Sequence, residues 1–168
     1  MEIVLRKWDM SLKDDLMRMC NNVDRTYLSG RMPEPYTDAD AEWYLGMVAE
    51  HDGRDGLFRA VVVDGKVVGN ISVEQKADVS CRDAELGYCL LTEYWSRGVM
   101  TEATRKMCEI AFEELDIIRI TGMFYSPNVA SQRVLEKNGF VYEGRQRNAI
   151  WKNGNVYDAV LYGKLKDE

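Results

Sequence analysis

The sequence is poor in the residues that build metal centres and covalent catalytic sites. It contains a single histidine, His51, and four cysteines scattered through 168 residues. His51 precedes the turn-rich segment 52–56, which predicts a solvated loop residue rather than a catalytic base. A Ser/His/Asp or Cys/His nucleophile has no scaffold without a second histidine. The composition therefore argues against a metal site and against a covalent acyl-enzyme mechanism.

The four cysteines, Cys20, Cys81, Cys89 and Cys108, show no Cys-x-x-Cys spacing. Neither a zinc site nor a disulfide framework is therefore indicated, and we expect reduced, mostly buried thiols. Cys89 lies beside the strand to which we assign a cofactor below. It is the thiol that we expect a modifying reagent to reach.

Long apolar runs and an excess of positive charge are also missing. No stretch approaches the roughly 20 apolar residues of a membrane span, and the first ten residues lack the apolar core of a secretory signal. The net charge of −6 and the pI near 5.0 leave no basic face for a nucleic acid. We expect a cytoplasmic protein without a membrane or nucleic-acid partner. An acidic surface would steer a cationic amine, although acidity also serves solubility alone.

Strand and turn patterns predict one mixed α/β (α+β) domain over residues 1–168. Residues 2–8 alternate as an edge strand does, and 57–64 and 66–73 are β-branched runs joined by Asp64-Gly65, a dipeptide typical of two-residue hairpin turns. Residues 82–91 and 117–125 predict two more strands. A final hairpin is predicted over 140–151 and 156–164, with its turn near Asn153-Gly154.

Two helices are predicted before the central part of the chain. Ser11 is a plausible N-cap for a helix that runs to Asn22, with Asp14 in the capping-box position. Residues 24–36 contain Gly and Pro and predict a loop. The segment Thr37–Asp40 opens the second helix.

The stretch 85–115 joins a strand to an amphipathic helix through a short bend. The first amides of a helix lack intrahelical partners, and with the positive end of the helix dipole they form a site for an anion. Gly98 allows close approach of a ligand to the backbone, and Arg97 adds positive charge. The pattern favours a phosphate or pyrophosphate, although a glycine before a helix is often only a turn.

A second segment, residues 128–140, reads Asn-Val-Ala-Ser-Gln-Arg-Val-Leu-Glu-Lys-Asn-Gly-Phe. With both segments the chain resembles the GCN5-related N-acetyltransferase (GNAT) superfamily, and within it the RimJ/RimL-like branch, over essentially its whole length. The family's pyrophosphate loop corresponds to residues 95–100. Gly98 matches its pattern, whereas Trp95 and Met100 depart from it, and we expect Met100 to crowd the loop.

The resemblance implies the acyl-CoA N-acyltransferase fold: a mixed, mostly antiparallel twisted sheet of six to seven strands flanked by about four helices. It also implies an N-acetyltransferase that uses acetyl-CoA as cosubstrate, with the primary amine of a small molecule or a protein N-terminus attacking directly in a ternary complex. The loop and helices around 24–48 would wall the acceptor pocket. A homodimer is compatible with the resemblance.

The resemblance also implies cofactor contacts. Backbone groups of the splayed strand would hold the pantetheine arm, and backbone amides at the helix start would hold the pyrophosphate. Asn128 would bond the pantetheine arm or serve as a helix N-cap. Lys137 would lie near the phosphates or remain solvated. The strand residues are Cys89, Leu90 and Leu91, and the amides are those of Arg97, Gly98, Val99, Met100 and Thr101.

The catalytic groups are less clear in the sequence. Many relatives carry a tyrosine four residues after the Ser of Asn-x-x-Ser, but Leu135 stands there. Ser131 is the remaining donor for the departing thiolate and would need a water relay, or it bonds back to a helical carbonyl. Glu85 would take the amine proton through water, or it pairs with a neighbour such as Arg82.

An alternative to the enzyme is a non-catalytic acyl-CoA-binding or regulatory module on the same fold, which Leu135 and Met100 would suit. Fold does not determine function, so the alternative stays open. The sequence identifies neither the amine acceptor nor the oligomeric state.

Overall fold

The structure is a computed structural model that describes residues 1–168. Seven strands form one sheet in the order β1-β2-β3-β4-β5-β7-β6. The strands are β1 (Ile3–Lys7), β2 (Gly56–Val63), β3 (Lys66–Gln75), β4 (Asp83–Leu90), β5 (Arg119–Tyr125), β6 (Val141–Lys152) and β7 (Asn155–Leu165). Every neighbouring pair is antiparallel except β4 and β5, which run parallel. The predicted mixed, mostly antiparallel sheet is confirmed.

Four helices flank the sheet: α1 (Lys13–Cys20), α2 (Asp38–His51), α3 (Val99–Glu114) and α4 (Val129–Lys137). Successive strand residues point to opposite faces, so neighbours in β4 show which helix covers which face. Cys89 contacts Met19 of α1, whereas Tyr88 contacts Ser131 of α4. The helices α1 and α4 therefore lie on opposite faces. None of the four combines the length and the apolar character that crossing a membrane requires.

A single cluster of 38 buried apolar residues forms the core. All eight residues of β2 are buried, including Leu57 and Val61. Because β2 lies between two neighbouring strands and is covered on both faces, its sequence is a nearly continuous apolar run rather than an alternating one. The strand β2, next to β3, is thus fully buried in the core.

Both predicted hairpins are present, and their turns have the predicted chemistry. Asp64 and Gly65 have φ values of 48° and 83°, and Asn153 and Gly154 have φ values of 50° and 79°. Two consecutive residues with positive φ are the requirement of a tight turn whose twist matches that of the strands. The local sequence alone is enough to determine these turns.

The start of the first helical segment differs from the prediction. A 3₁₀ turn over Met10–Leu12 precedes α1, and its N-cap is Asp9, whose carboxylate accepts from the Ser11 amide at 2.8 Å. The Ser11 hydroxyl also donates to Asp9. Ser11 is therefore a partner of the cap rather than the cap, because the Asp9 carboxylate accepts both of its donors.

The predicted start of α2 is confirmed. Thr37 and Asp40 form a reciprocal capping box: the Asp40 amide donates to the threonine hydroxyl at 3.3 Å, and the Asp40 carboxylate accepts from the Thr37 amide at 2.8 Å. The box satisfies two donors at the helix start. It also determines where the loop 24–36 ends and α2 begins.

We expect Thr37→Ala to lower the free energy of unfolding by about 1 kcal/mol, since the substitution leaves the Asp40 amide without its acceptor. Urea denaturation followed by circular dichroism measures the change. Thr92→Ala is the matched control, because the hydroxyl of that exposed threonine makes only a 3.4 Å contact with Glu93. Equal midpoints for the two variants would contradict the role of the capping box.

Candidate functional site

The parallel strands β4 and β5 pair along only part of their length. Register runs from Asp83 opposite Arg119 to Leu86 opposite Gly122, and no pairing follows. The later parts of both strands, 87–90 and 123–125, keep their outer neighbours β3 and β7. The two strands therefore diverge into a gap that opens inside the sheet.

One edge of this gap consists of backbone groups of β4. The Leu91 amide donates to Val68 at 2.9 Å, and its carbonyl accepts from the Tyr94 amide at 3.0 Å, so both groups are already engaged. Backbone groups alternate in direction along a strand, so those of Cys89 also face β3 and those of Tyr88 and Leu90 face the gap. Of the predicted set Cys89, Leu90 and Leu91, only Leu90 therefore presents its backbone groups to the gap, and Tyr88 joins it.

Trp95 links the end of β4 to the bend that follows. Its indole N–H donates to the Leu90 carbonyl at 2.9 Å, and its side chain remains 49% exposed. Trp95 thus occupies one of the two backbone groups with which Leu90 faces the gap. Trp95, one of the two residues that depart from the family's loop pattern, therefore has a structural role of its own.

The bend ends at Gly98, the N-cap of α3, with φ 75° and ψ 7° and no side-chain cap. The first helical bond runs from the Glu102 amide to the Gly98 carbonyl at 3.1 Å, and no amide from Ser96 to Thr101 donates to a protein acceptor. A Cβ built on Gly98 would meet no atom within 4 Å. The structure therefore has a row of free N–H groups at the positive end of a helix, facing open space.

Met100 does not crowd this loop. Only 6% of the residue is exposed, and it belongs to the hydrophobic core. The expected obstruction is wrong, because the amphipathic helix turns this position inward and leaves only the amide at the rim. Arg97 remains exposed, with its guanidinium 5.6 Å from the centre of the Tyr94 ring.

The helix α4 brings the second sequence motif to the same region. Asn128 caps it, with its side-chain oxygen accepting from the Ser131 amide at 3.2 Å, while its side-chain N–H₂ group has no acceptor in the chain. At the other end of α4, the Asn138 side chain donates to the Thr101 carbonyl at 3.1 Å. The exposed Lys137 is thus carried close to the first turn of α3.

The Leu135 side chain fills the space over β5 that Gly122 leaves by having no side chain. It is 2% exposed, and a Cβ on Gly122 would lie 2.8 Å from both of its terminal methyl groups. Gly122 is the residue at which pairing between β4 and β5 stops. The position that carries a tyrosine in many relatives is therefore a packing position here.

Ser131 does not bond back to a helical carbonyl. Its hydroxyl lies 2.9 Å from the hydroxyl of Tyr88, and burial raises the pKa of that phenol to about 12. In the sequence Tyr88 looks like one more aromatic residue of a buried strand, so it is not among the predicted site residues. The available signal was its place in the proposed cofactor strand, on the face opposite Cys89.

Glu85 is exposed on the other face of β4, directly opposite Glu74 of β3. Neither carboxylate has a hydrogen-bond or ion-pair partner, and Arg82 instead pairs with Asp116 at 3.2 Å. The expected pairing of Glu85 with Arg82 is therefore wrong. The carboxylate is free on the open face below the gap.

The remaining predicted groups lie away from the gap or are buried. His51 is the last residue of α2 rather than a loop residue, and its Nδ1 lies 2.8 Å from Asp55.

All four cysteines are free thiols, and three of them are buried. Cys89 is buried, and its sulfur lies 3.8 Å from that of Met19, whereas Cys81 is exposed. Cys81 rather than Cys89 is therefore the accessible thiol.

Comparison with known proteins gives concordant matches. Residues 2–141 match the acetyltransferase (GNAT) domain family. The chain is 36% identical over 114 residues to the putative ribosomal N-acetyltransferase YdaF of Bacillus subtilis, a match that covers 68% of this chain and 62% of YdaF. Across three Bacillus subtilis relatives, the matches span 48% to 62% of the relatives' length.

Two solved structures show the same fold at low identity. RimL, the ribosomal L7/L12 alpha-N-protein acetyltransferase in complex with coenzyme A, has a TM-score of 0.85 and 19% identity, covering 97% of this chain and 93% of RimL. The Vibrio cholerae spermidine N-acetyltransferase in complex with CoA and spermine has a TM-score of 0.81 and 19% identity, with coverage of 98% and 96%.

We expect Gly98→Val to abolish binding of CoA, because a β-branched residue disfavours positive φ and its side chain would cover the free amides. Calorimetric titration with CoA measures the loss. Gly53→Val is the matched control, since Gly53 also has positive φ, 81°, and open space around its Cβ position but lies in the turn before β2.

Both substitutions should cost about 1–2 kcal/mol of stability through backbone strain. Only Gly98→Val should lose the ligand. Unchanged CoA affinity in Gly98→Val would contradict the assignment of the pyrophosphate to this loop.

Proposed function

Because the chain belongs to the acetyltransferase (GNAT) domain family, we propose that it transfers the acetyl group of acetyl-CoA to a primary amine. The amine attacks the thioester directly in a ternary complex. One observation carries the proposal: a gap between β4 and β5, lined on one edge by backbone groups, occurs together with a row of free amides at the start of α3. A thioester and a pyrophosphate require this pair of sites together.

Acetyl-CoA fits the free donors of the site. The amides of Arg97 to Thr101, at the positive end of α3, have no acceptor in the chain and would hold the pyrophosphate. The gap-facing backbone groups of Tyr88 and Leu90 and the free N–H₂ of Asn128 would hold the pantetheine arm, whose amides both donate and accept. The side chains of Arg97 and Lys137 add positive charge for the phosphates.

Glu85 and Ser131 are the proposed catalytic groups. Glu85 lies on the face opposite Ser131, so an amine that enters from the Glu85 side meets the thioester from the far side of the serine. The exposed carboxylate would take the ammonium proton through a water molecule. Ser131 would hydrogen-bond the sulfur as the carbon–sulfur bond breaks.

The acceptor is a primary amine of either a small molecule or a protein N-terminus. Both classes occur in the names of structural neighbours, one a ribosomal-protein acetyltransferase and one a spermidine acetyltransferase. The resemblance to YdaF supports the RimJ/RimL-like branch, and hence a protein N-terminus. The free carboxylates of Glu74 and Glu85, which lie opposite each other on β3 and β4 below the gap, suit a cationic acceptor of either class.

We further propose a single catalytic domain over residues 1–168 and a cytoplasmic location, with no nucleic-acid or membrane partner and with a homodimer compatible with the fold. The non-catalytic acyl-CoA-binding module remains the alternative. Leu135 no longer favours that alternative, because the structure gives it a packing role over Gly122.

We expect free thiol to appear from acetyl-CoA only when an acceptor amine is added. The assay follows the thiol with a chromogenic reagent over a panel of N-terminal peptides, polyamines and amino acids. Reaction of exposed Cys81 with the reagent is subtracted with a Cys81→Ser control. Tight CoA binding without turnover across the whole panel would instead support the non-catalytic module.

We expect Glu85→Gln to lower kcat about a hundredfold at neutral pH, since the amide cannot accept the amine proton. Acetyl-CoA affinity should not change, because Glu85 lies on the opposite face of β4 from Ser131. Glu113→Gln, at an exposed position of α3, is the matched control. A variant as active as wild type would remove Glu85 from the mechanism.

A further inference from the structure

We propose that Tyr88 is a positioning residue for acetyl transfer: its phenol holds the Ser131 hydroxyl so that the serine proton points at the sulfur of the departing CoA. This inference rests on the proposed function. It assigns a role to a residue outside the pyrophosphate loop 95–100 and the segment 128–140, and it gives the site a phenol that comes from strand β4 rather than from helix α4.

The contact is specific to these two hydroxyls. Their oxygens lie 2.9 Å apart, and neither has another hydrogen-bond partner in the chain. A serine in the first turn of a helix usually has a local choice, the carbonyl one turn back. Ser131 instead bonds to a residue 43 positions away in the sequence. A hydroxyl that rotates freely in isolation thus has one defined partner.

The place of the contact connects it to the reaction. Tyr88 lies on β4 just beyond Leu86, the last residue paired with β5, and Ser131 lies on α4, which packs over β5 through Leu135 and Gly122. The hydrogen bond therefore spans the two sides of the gap. Its oxygens lie on the α4 face, whereas Glu85 lies on the opposite face.

Chemistry decides which hydroxyl donates. A phenol is a stronger acid than an aliphatic alcohol, so the tyrosine is the better donor and the serine the better acceptor. Burial also raises the pKa of Tyr88 to about 12, so the phenol keeps its proton throughout the neutral range. With its oxygen accepting from Tyr88, Ser131 has its own proton free to donate into the gap.

The reaction balances without transfer from either hydroxyl. The amine nitrogen forms a bond to the carbonyl carbon, the carbon–sulfur bond breaks, and the electron pair moves to sulfur. The sulfur receives a hydrogen bond from Ser131, strengthened because that hydroxyl accepts from Tyr88. The second amine proton then passes through water to the thiolate, so amide and thiol are the products.

A purely structural role makes a different prediction. In that role Tyr88 only tethers α4 to the sheet, as another tyrosine does: Tyr162 of β7 donates to Glu136 of α4 at 2.8 Å and is itself buried. Tyr162→Phe removes one hydroxyl contact between the sheet and α4, as Tyr88→Phe does. It is therefore the matched control.

The first experiment is a double-mutant cycle on kcat. Tyr88→Phe should lower kcat about three- to tenfold, the value of one hydrogen bond, with KM for acetyl-CoA unchanged. Ser131→Ala should lower kcat further, and Tyr88→Phe should cost nothing more in that background. An equal loss in both backgrounds, or the same loss in Tyr162→Phe, would overturn the proposal.

The second experiment needs no turnover. A hydrogen bond from Ser131 favours the thiolate of bound CoA, so affinity for CoA relative to desulfo-CoA should rise between pH 7 and pH 9, near the ordinary thiol pKa of about 8.5. Tyr88→Phe and Ser131→Ala should each remove about three- to tenfold of that rise, and Tyr162→Phe none.

The two readouts separate the proposals. If no amine is acetylated but the pH-dependent preference for CoA is present and depends on Tyr88, the proposed function fails and the positioning role stands. If amines are acetylated but Tyr88→Phe matches wild type in both experiments, the positioning role fails and the proposed function stands.

Discussion

The site depends on the point where β4 and β5 stop pairing. Below it, Asp83 of β4 links the paired parts of β3, β4 and β5. Its carboxylate accepts from the Thr121 hydroxyl at 2.9 Å and from Lys76, just after β3, at 2.6 Å, and it lies 3.3 Å from Arg119. Above it, Gly122 and Leu86 form the last pair. Backbone groups beyond that pair must find partners in water, ligand or side chain. Because the sheet is closed at one end of β4 and β5 and open at the other, it presents unpaired main-chain groups at the open end.

The loop 24–36 is anchored beside the end of β5 by contacts between residues that are distant in the sequence. The Leu28 carbonyl, in the loop 24–36, accepts from the Tyr125 hydroxyl at 3.0 Å and from the ammonium of Lys152. Tyr27 of the same loop packs edge-on against the rings of Tyr125 and Tyr157. The loop is thus tied to the end of β5 and to the final hairpin. The shape of this region is therefore built by three segments that are separated in the sequence.

Local chemistry was enough for the turns and for the α2 start, where a dipeptide or a four-residue box determines the backbone. It was not enough at the start of the first helical segment, where both Asp9 and Ser11 could serve as the N-cap, or at positions where the outcome depends on packing. Met100 looks like an obstruction in a linear motif and is a core residue in three dimensions. The contact between Tyr88 and Ser131 could not be predicted, because the two residues are 43 positions apart in the sequence and meet only where β4 and β5 diverge. No local sequence pattern indicates that divergence. The anion site at the α3 start, by contrast, was predicted from Gly98 before an amphipathic helix taken together with the second segment, residues 128–140.

The leucine at position 135 looked in the sequence like the loss of a proton donor. In the structure a glycine at 122 leaves space on β5, and the leucine side chain fills it, so the two residues are one packing solution. A phenol at 135 would have to bury its hydroxyl among the same apolar atoms or push α4 away from the sheet. The phenol that meets the serine comes instead from β4, across the gap. The absence of a tyrosine at position 135 is therefore compatible with the proposed acetyl transfer, because the fold places Tyr88 against the same serine hydroxyl.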